Sequence, residues 1–455
     1  MKRICLFTLC IVIGITANAQ TLKAKLDAAI KQLEKDAQVK HGLIGFSVID
    51  AATGKPVYER NADIGLAPAS TQKIFTSIAT FEILGKDYRY KTSFSFNSGK
   101  LYVSASGDPT LGSWRFSNTK RERIIANVID AYKKKGIKEK FSAIVSTGNS
   151  FDAQSIPDGW IWEDIGNYYG AGHDNLNWNE NQYDLILKPG KNIGDSVEVQ
   201  GTDPQLNIDF ITNELKTGAK GSGDNAYIYF GPASVVRIVR GTVPCCVDSF
   251  TISGSVEGWR IFYEDILAEF QRNGITRGGF EFIPSGASEK DAISLYEHSS
   301  PTFDSINFYF LKRSINLYGE ALLRTIAKEK SGFGSSEKGI ELIKGIFEKI
   351  GIEKSAIDII DGCGLSPQNR VTTNSLTKAL YYAKSRPWFG SFYYALPEIN
   401  GMKMKSGLIG GVRSYAGYQK AANGKEYIFS IIINNYTGSS SEMNKKLFKI
   451  LDYLK

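Results

Sequence analysis

Ser70 and Lys73 are residues whose types and spacing could do chemistry together. They lie three positions apart at the start of a predicted apolar helix that ends at Gly85. Because three residues make nearly one helical turn, the lysine ammonium can reach the serine hydroxyl. A serine hydroxyl needs an adjacent base to act as a nucleophile, and a lysine in a desolvated, electropositive pocket can serve as that base. The pair therefore predicts a nucleophile and its base.

The spacing alone is common, and a serine that caps a helix is its ordinary structural explanation. Ser70 is distinguished by its context, because it follows Ala-Pro-Ala and a predicted hairpin formed by residues 42–50 and 55–60. The free N–H groups at the start of the helix could also bind a developing oxyanion. The same spacing recurs at Ser117–Lys120, Ser335–Lys338 and Ser375–Lys378.

A second candidate element is the glycine-rich segment DGCGLSPQN, residues 361–369. On such a tight turn, Ser366 could relay a proton and Asn369 could hold a substrate amide. A strict Ser-x-Asn spacing would place Gln368 in the amide position instead of Asn369, and an ordinary loop is the structural alternative. The segment is thus a candidate continuation of the site.

A third candidate element is Lys405-Ser406-Gly407, at the end of a predicted strand. A lysine and a hydroxyl group there can bind a substrate carboxylate. The glycine lets a substrate lie close to the strand. These residues predict a carboxylate-binding strand beside the nucleophile.

The order of these three elements resembles that of the penicillin-recognising serine enzymes, which include β-lactamases and penicillin-binding proteins. More specifically, the chain resembles the class C penicillin-binding proteins, the D-alanyl-D-alanine carboxypeptidase/endopeptidase family. The likeness covers essentially the whole chain after the first 19 residues. It rests on ASGDPTLGS (105–113), IPDGWIWEDIGNYYGA (156–171), SINLYGEALLRT (314–325), DGCGLS (361–366) and MKSGLIGGVRSYAGY (404–418).

The resemblance implies roles for the candidate catalytic residues. Ser70 would attack the carbonyl between two D-alanines and form an acyl-enzyme, while Lys73 takes the proton. Ser366 and Lys405 would pass a proton to the leaving amine. The oxyanion would bind the backbone N–H groups of Ser70 and Leu408.

The resemblance also implies how peptidoglycan stem peptides are held. Lys405 and Ser406 would bind the terminal carboxylate, and Gly407 would let the peptide lie along the strand. An acidic residue in the region inserted into the catalytic domain would bind the side-chain amine of the stem diamino acid. The matching residue is Asp164, with Tyr169 as an apolar wall; a surface carboxylate after a buried tryptophan is the alternative.

Three further residues are interpreted as structural. Cys363 replaces the serine usual in the Asp-Gly-Ser-Gly motif, a change between small residues that we expect to be silent. Lys312 and Asn316, in LKRSINLYGE, lie in a helix that we expect to pack against the site.

The fold that these features predict is α/β. A β-lactamase/transpeptidase-like domain, an antiparallel sheet flanked by helices, would be built from residues 20–88 and 290–455. One or two β-rich domains would be inserted at residues 89–289, where short alternating runs are broken by Gly, Asn, Asp and Pro.

The amino-acid composition indicates a folded core and argues against a metal site or a disulfide framework. With 42% hydrophobic and 12% aromatic residues, the 455-residue chain can bury a real core. The three histidines, His41, His173 and His298, are not spaced like a metal cluster. We therefore expect neither a metal nor another cofactor, and the scarcity of histidine weakens any Ser-His-Asp mechanism. Cys245 and Cys246 are adjacent, and neighbouring residues rarely reach disulfide geometry.

The charge and the first residues bear on location. The net charge of +8 is compatible with a protein that acts near an anionic cell wall or membrane surface. It is equally compatible with the mild basicity that is common in secreted proteins. Basic residues are not clustered, so nucleic acid is a poor candidate partner. Residues 1–19 have the charged start, apolar run and Ala-x-Ala site of a signal peptide, with cleavage expected near Ala19–Gln20. The sequence thus predicts a periplasmic, or otherwise extracytoplasmic, protein.

The leading hypothesis is a serine-type D-Ala-D-Ala carboxypeptidase that β-lactams inhibit covalently, with additional D,D-endopeptidase activity left open. A serine β-lactamase is one alternative, since it shares the acylation residues. A non-catalytic penicillin-binding or wall-sensing protein is the other. The predicted insertion disfavours a β-lactamase, and the presence of Ser70, Lys73, Ser366 and Lys405 disfavours a non-catalytic protein.

Overall fold

A computed structural model describes residues 21–147, 150–206, 210–232, 234–283 and 291–455. The predicted signal peptide lies outside the described residues. Within these ranges, we find no helix with both the length and the apolar character needed to cross a membrane.

The chain begins with a helix, a β-hairpin and the predicted apolar helix. A short 3₁₀ turn, Ala69–Gln72, leads directly into that helix. The elements are α1 (Leu22–Glu34), β1 (Leu43–Asp50), β2 (Pro56–Arg60) and α2 (Lys73–Leu84).

The middle of the chain alternates many short strands with three helices. The strands are β3 (Lys91–Asn97), β4 (Lys100–Ser104), β5 (Phe141–Thr147), β6 (Gln182–Lys188), β7 (Glu198–Asp203), β8 (Phe210–Gly218), β9 (Asn225–Phe230), β10 (Val236–Pro244), β11 (Phe250–Ser255), β12 (Thr276–Ile283) and β13 (Ile293–Ser299). The helices are α3 (Arg121–Lys134), α4 (Trp162–Ile165) and α5 (Gly258–Arg272).

The last part returns to helices and then completes a sheet. Its helices are α6 (Phe303–Lys312), α7 (Asn316–Ser331), α8 (Ser336–Glu348), α9 (Thr373–Lys384), α10 (Phe389–Ala395) and α11 (Ser440–Leu451). Its strands are β14 (Ile357–Asp358), β15 (Arg370–Val371), β16 (Glu398–Ile399), β17 (Met402–Ile409), β18 (Val412–Lys420) and β19 (Glu426–Asn434).

A six-stranded antiparallel sheet joins the two ends of the chain in the order β16-β17-β18-β19-β1-β2. Strands β1 and β19 pair from Leu43 opposite Asn434 to Asp50 opposite Tyr427. Both faces are covered: α2, α7 and α9 pack on one side, and α1 and α11 on the other. This burial explains why β19, YIFSIIIN, is apolar at almost every position rather than alternating.

The middle of the chain forms three further sheets around its own core. One is five-stranded, in the order β12-β5-β4-β3-β13, and two are three-stranded, β11-β6-β7 and β8-β10-β9. The region is richer in helix than the sequence texture suggested, because α3 and α5 pack in this core. Helix α3 buries Ile124, Ile125, Val128 and Ile129, which follow helical spacing.

Candidate functional site

The turn that carries Ser70 is pressed between neighbouring segments. Ala69 has a φ of +47°, which is unusual for a residue other than glycine. Gly364, itself at φ +86°, packs so closely that a Cβ atom there would lie 2.0 Å from the Ala69 carbonyl oxygen. The glycine-rich segment therefore fixes the position of the serine, and only glycine fits at that contact.

Lys73 is buried and directs all three of its ammonium hydrogens at acceptors. Its Nζ donates to Ser70 Oγ at 2.9 Å, to Asn316 Oδ1 at 2.6 Å and to the Cys363 carbonyl at 2.7 Å. The three acceptors come from three distant parts of the chain. This arrangement gives Lys73 one orientation, with its nitrogen in contact with the serine hydroxyl.

The surroundings of Lys73 favour its neutral form. Burial lowers the pKa of Lys73, while the acidic groups of Cys363, Asp361 and Glu320 act in the opposite direction. A neutral Lys73 keeps two hydrogens for donation and gains a lone pair. That lone pair can accept the proton of Ser70 Oγ across the same 2.9 Å contact.

A second buried lysine, Lys405, lies on β17. Its Nζ donates to Ser314 Oγ at 2.9 Å and to the Ser406 carbonyl at 2.8 Å. Burial lowers the pKa of Lys405 well below its usual value, and the charges of Lys73 and Arg413 add to this effect. The two lysines are therefore close enough to influence each other, with Ser314 in contact with Lys405.

Ser314 and Asn316 are functional candidates that the sequence interpretation missed. They stand at the start of α7, and each contacts one of the buried lysines. Asn316 was expected to pack against the site, and Ser314 was not singled out. The available signal was the strict Ser-x-Asn spacing of SINLYGE, which the 361–369 segment lacks.

Ser366 and Asn369 are not brought to the nucleophile, contrary to the expectation. Ser366 Oγ donates to the Gly159 carbonyl at 3.0 Å, and Asn369 Nδ2 donates to Asp361 Oδ1 at 3.0 Å. Both side chains are buried, and neither lines the cleft that contains Ser70. The physical reason is that their polar groups are already hydrogen-bonded elsewhere, Ser366 to the Gly159 backbone from the middle of the chain and Asn369 to the buried Asp361 carboxylate.

Strand β17 lies directly against the turn that carries Ser70. A Cβ atom on Gly407 would lie 2.7 Å from the Pro68 carbonyl oxygen and 2.9 Å from the Ser70 nitrogen. Ser406 and Leu408, on either side of this glycine, line the same cleft as Ser70. The predicted Lys-Ser-Gly strand is thus adjacent to the serine, as expected.

Asp164 and Tyr169 also line that cleft, which encloses about 820 Å³. Burial, reinforced by the neighbouring Glu163, raises the pKa of Asp164 to about 6. The Tyr169 carbonyl accepts a hydrogen bond from Asn316 Nδ2 at 2.8 Å. The middle of the chain is therefore attached directly to the lysine network and contributes an acidic group to the cleft.

Glu320, Asp361 and Cys363 are the described residues whose grouping could in principle hold a metal ion. Their environment does not suit one. Both Glu320 oxygens accept the Gly362 N–H, and Asp361 accepts several further hydrogen bonds. The group also lies beside the Lys73 ammonium, so we assign it to the hydrogen-bond network.

Comparisons with known proteins agree with this architecture. The model of the D-Ala-D-Ala carboxypeptidase 3 (S13) family matches residues 22–452. The chain is 25% identical to a D-alanyl-D-alanine carboxypeptidase of Actinomadura sp. (strain R39), over 93% of this chain and 82% of that protein. It is 23% identical to D-alanyl-D-alanine carboxypeptidase DacB of Haemophilus influenzae, over 90% of this chain and 89% of that protein.

A solved structure shares the fold. The crystal structure of penicillin binding protein 4 (dacB) from Haemophilus influenzae superposes with a TM-score of 0.76 at 20% identity. The match covers 92% of this chain and 97% of that one. The predicted α/β fold is thereby confirmed over nearly the full length.

The contact at Gly407 leads to a testable prediction. In Gly407→Ala, the added methyl group would push β17 away from the Ser70 turn. We expect acylation of Ser70 by labelled penicillin to slow on the order of 10²-fold, since small displacements cost that much. Gly345→Ala, in α8 where an added Cβ meets nothing within 4 Å, is the matched control. Equal acylation rates in the two variants would contradict the assigned contact.

Proposed function

The chain belongs to the D-Ala-D-Ala carboxypeptidase 3 (S13) family, and from this premise we propose that it hydrolyses the terminal D-Ala-D-Ala bond of peptidoglycan stem peptides through an acyl-enzyme on Ser70. The observation that carries the proposal is the 2.9 Å contact between Lys73 Nζ and Ser70 Oγ. That contact joins the nucleophile to a buried base.

In the acylation step, neutral Lys73 accepts the hydroxyl proton as Ser70 Oγ bonds to the carbonyl carbon of the scissile amide. The oxyanion that develops accepts hydrogen bonds from the backbone N–H groups of Ser70 and Leu408. Gly407 supports this geometry, because its missing side chain lets the two backbone segments come together. Fixed N–H donors at such a position typically contribute about 3 kcal/mol to lowering the barrier.

Collapse of the tetrahedral intermediate breaks the C–N bond and requires a proton on the leaving amine. Ser314 and Lys405 supply a route, since the Ser314 hydroxyl accepts from Lys405 at 2.9 Å. The proton leaves with D-alanine, and the acyl group stays on Ser70 Oγ. Water then attacks the ester and gives its proton to the now neutral Lys405 through Ser314, and protonated Lys73 returns its proton to Ser70 Oγ as the acyl C–O bond breaks.

The substrate peptide is proposed to lie along β17. Strand β16 pairs with Met402 and Lys403 of that strand, and the Met404 N–H donates to the Pro397 carbonyl. An extended peptide can pair with the edge of β17 beyond Met404. The terminal carboxylate would then meet Lys405 and Ser406. A carboxylate beside Lys405 is favourable because its negative charge stabilises the protonated form of this buried lysine.

Asp164 is proposed to bind the side-chain amine of the stem diamino acid, with Tyr169 as the adjoining apolar wall. The half-buried carboxylate has Glu163 as an acidic neighbour, so a cation is the favourable ligand. A cross-linked stem would place its second peptide in the same cleft, and D,D-endopeptidase activity is proposed on that ground.

The setting of this activity is also proposed. Export through the signal at residues 1–19, with cleavage near Ala19–Gln20, would place the enzyme in the periplasm, in contact with the wall or the membrane surface. We also propose the predicted division into residues 20–88 and 290–455 with an insertion at 89–289, with one adjustment. Strand β13 pairs with β3 and completes the sheet of the insertion, so the second boundary moves past Ser299.

Substitution of the nucleophile tests the core of the proposal. Ser70→Ala is expected to abolish both covalent labelling by penicillin and D-alanine release from a stem pentapeptide. Ser117→Ala removes the exposed serine of another Ser-x-x-Lys pattern and should change neither. Labelling that persists in Ser70→Ala would contradict the mechanism. Rapid turnover of penicillin by the wild type would favour a β-lactamase. Absence of labelling in the wild type would favour a non-catalytic protein.

The choice between the two serine elements is testable. Ser314→Ala removes the hydroxyl that contacts Lys405, so we expect kcat for D-alanine release to fall on the order of 10²-fold, as for loss of proton transfer. Ser366→Ala removes a buried bond to Gly159 and should lower the melting temperature while largely preserving kcat. A reversed pattern would restore the role first expected for Ser366.

The raised pKa of Asp164 leads to a prediction of pH-dependent substrate preference. Asp164→Asn should raise KM for a stem peptide with a free side-chain amine by about 10-fold or more, the worth of a charge-assisted hydrogen bond. In the wild type, binding should tighten as the pH rises through about 6, where Asp164 ionises. KM measured against pH with free and acetylated amines checks this. Equal effects on both peptides would argue against the contact.

A further inference from the structure

One face of α7 carries three contacts to the catalytic network. Asn316, Gly319 and Glu320 stand at positions i, i+3 and i+4, which share a helical face. Asn316 accepts from Lys73. Gly319 allows close packing, because a Cβ atom there would lie 2.9 Å from Cys363 Cβ. The helix therefore lies tightly against the segment that begins at residue 361.

Glu320 holds that segment at the residue preceding the lysine's acceptor. Its two carboxylate oxygens accept the Gly362 N–H at 2.9 and 3.1 Å. The next carbonyl, that of Cys363, accepts from Lys73 Nζ at 2.7 Å. Glu320 is only 1% exposed. A single backbone step thus connects this buried acid to the base.

The buried charges around this step are few and close. Lys73 has Glu320, Asp361 and Cys363 as its acidic neighbours, and it influences the second cation, Lys405. Glu320 also lies near the buried guanidinium of Arg324, one turn further along α7, which is paired with Asp152. Burial, together with the Asp361 carboxylate, raises the pKa of Glu320 to about 8.

We propose that Glu320 is a positioning residue for the base, which holds the carbonyl that orients Lys73 and, through its own charge, sets the pH at which Lys73 becomes neutral. This inference rests on the proposed function, since it takes Lys73 as the acceptor of the Ser70 proton. Above about pH 8, where Glu320 is ionised, its negative charge stabilises protonated Lys73. Neutralising Glu320 permanently should therefore let Lys73 release its proton at lower pH.

The test is the pH dependence of penicillin acylation of Ser70, measured with Glu320→Gln. Glutamine keeps an oxygen for the Gly362 N–H but cannot carry the charge. We expect the acidic limb of the rate profile to move to lower pH by about one unit, the lower end of the effect of a close opposite charge. Glu329→Gln, an exposed position on the same helix that accepts from Tyr88, should leave the profile unchanged.

A second variant separates charge from shape. Glu320→Asp retains the charge, so its acidic limb should stay near that of the wild type even where the shorter side chain lowers the rate. An acidic limb unmoved in Glu320→Gln, with rates lowered equally at all pH values, would reduce Glu320 to a structural residue and overturn the inference. A wild type that penicillin does not acylate at any pH would overturn the proposed function and this inference with it.

Discussion

The buried ammonium group of Lys73 is the constraint on which the rest of the site depends. A lysine out of contact with water is tolerable only where acceptors meet each of its hydrogens or where it gives up its charge. Its acceptors lie on the nucleophile's own turn, on α7 and on the segment after residue 361. Each must be held accurately, because a misplaced acceptor would leave a buried donor unsatisfied. The same contacts that make the burial of Lys73 tolerable therefore also hold its nitrogen against the Ser70 hydroxyl.

Helix α7 supplies or supports several of the groups that surround Lys73. At its start it presents Asn316 to Lys73, and one turn later it presents Glu320 to the glycine-rich segment. Further along, Arg324 donates to the His173 carbonyl and pairs with Asp152, both from the middle of the chain. A single rigid element thus aligns the lysine, the segment that supports it and the inserted wall. Such alignment holds the groups in position before a substrate arrives.

The closing strands explain how residues so distant in sequence share one site. Pairing of β1 with β19 brings the end of the chain beside its beginning, and β17 follows two strands further along the same sheet. The absent side chain of Gly407 then lets β17 approach the Ser70 turn. The long middle region can leave and return without disturbing this pairing, and it contributes Asp164 and Tyr169 to the lining of the cleft.

Much of this could be predicted from local patterns. The pairing of Ser70 with Lys73 follows from helical spacing, and the apolar runs of β1 and β19 indicate a sheet covered on both faces. The order of the elements along the chain indicated where the Lys405 strand belongs. The apolar residues of α3 also follow helical spacing, but the many turn residues around this segment led to a prediction of strands there.

Only the tertiary structure decided which serine and amide meet the two lysines. Both Ser314–Asn316 and Ser366–Asn369 offer suitable groups, and local sequence cannot measure distances between segments far apart in the chain. Packing of α7 against α2 brings the first pair to the lysines, whereas in the second pair Ser366 bonds to Gly159 and Asn369 to Asp361. The burial that shifts the pKa values of Lys73 and Lys405 likewise arises only when all these segments close over them.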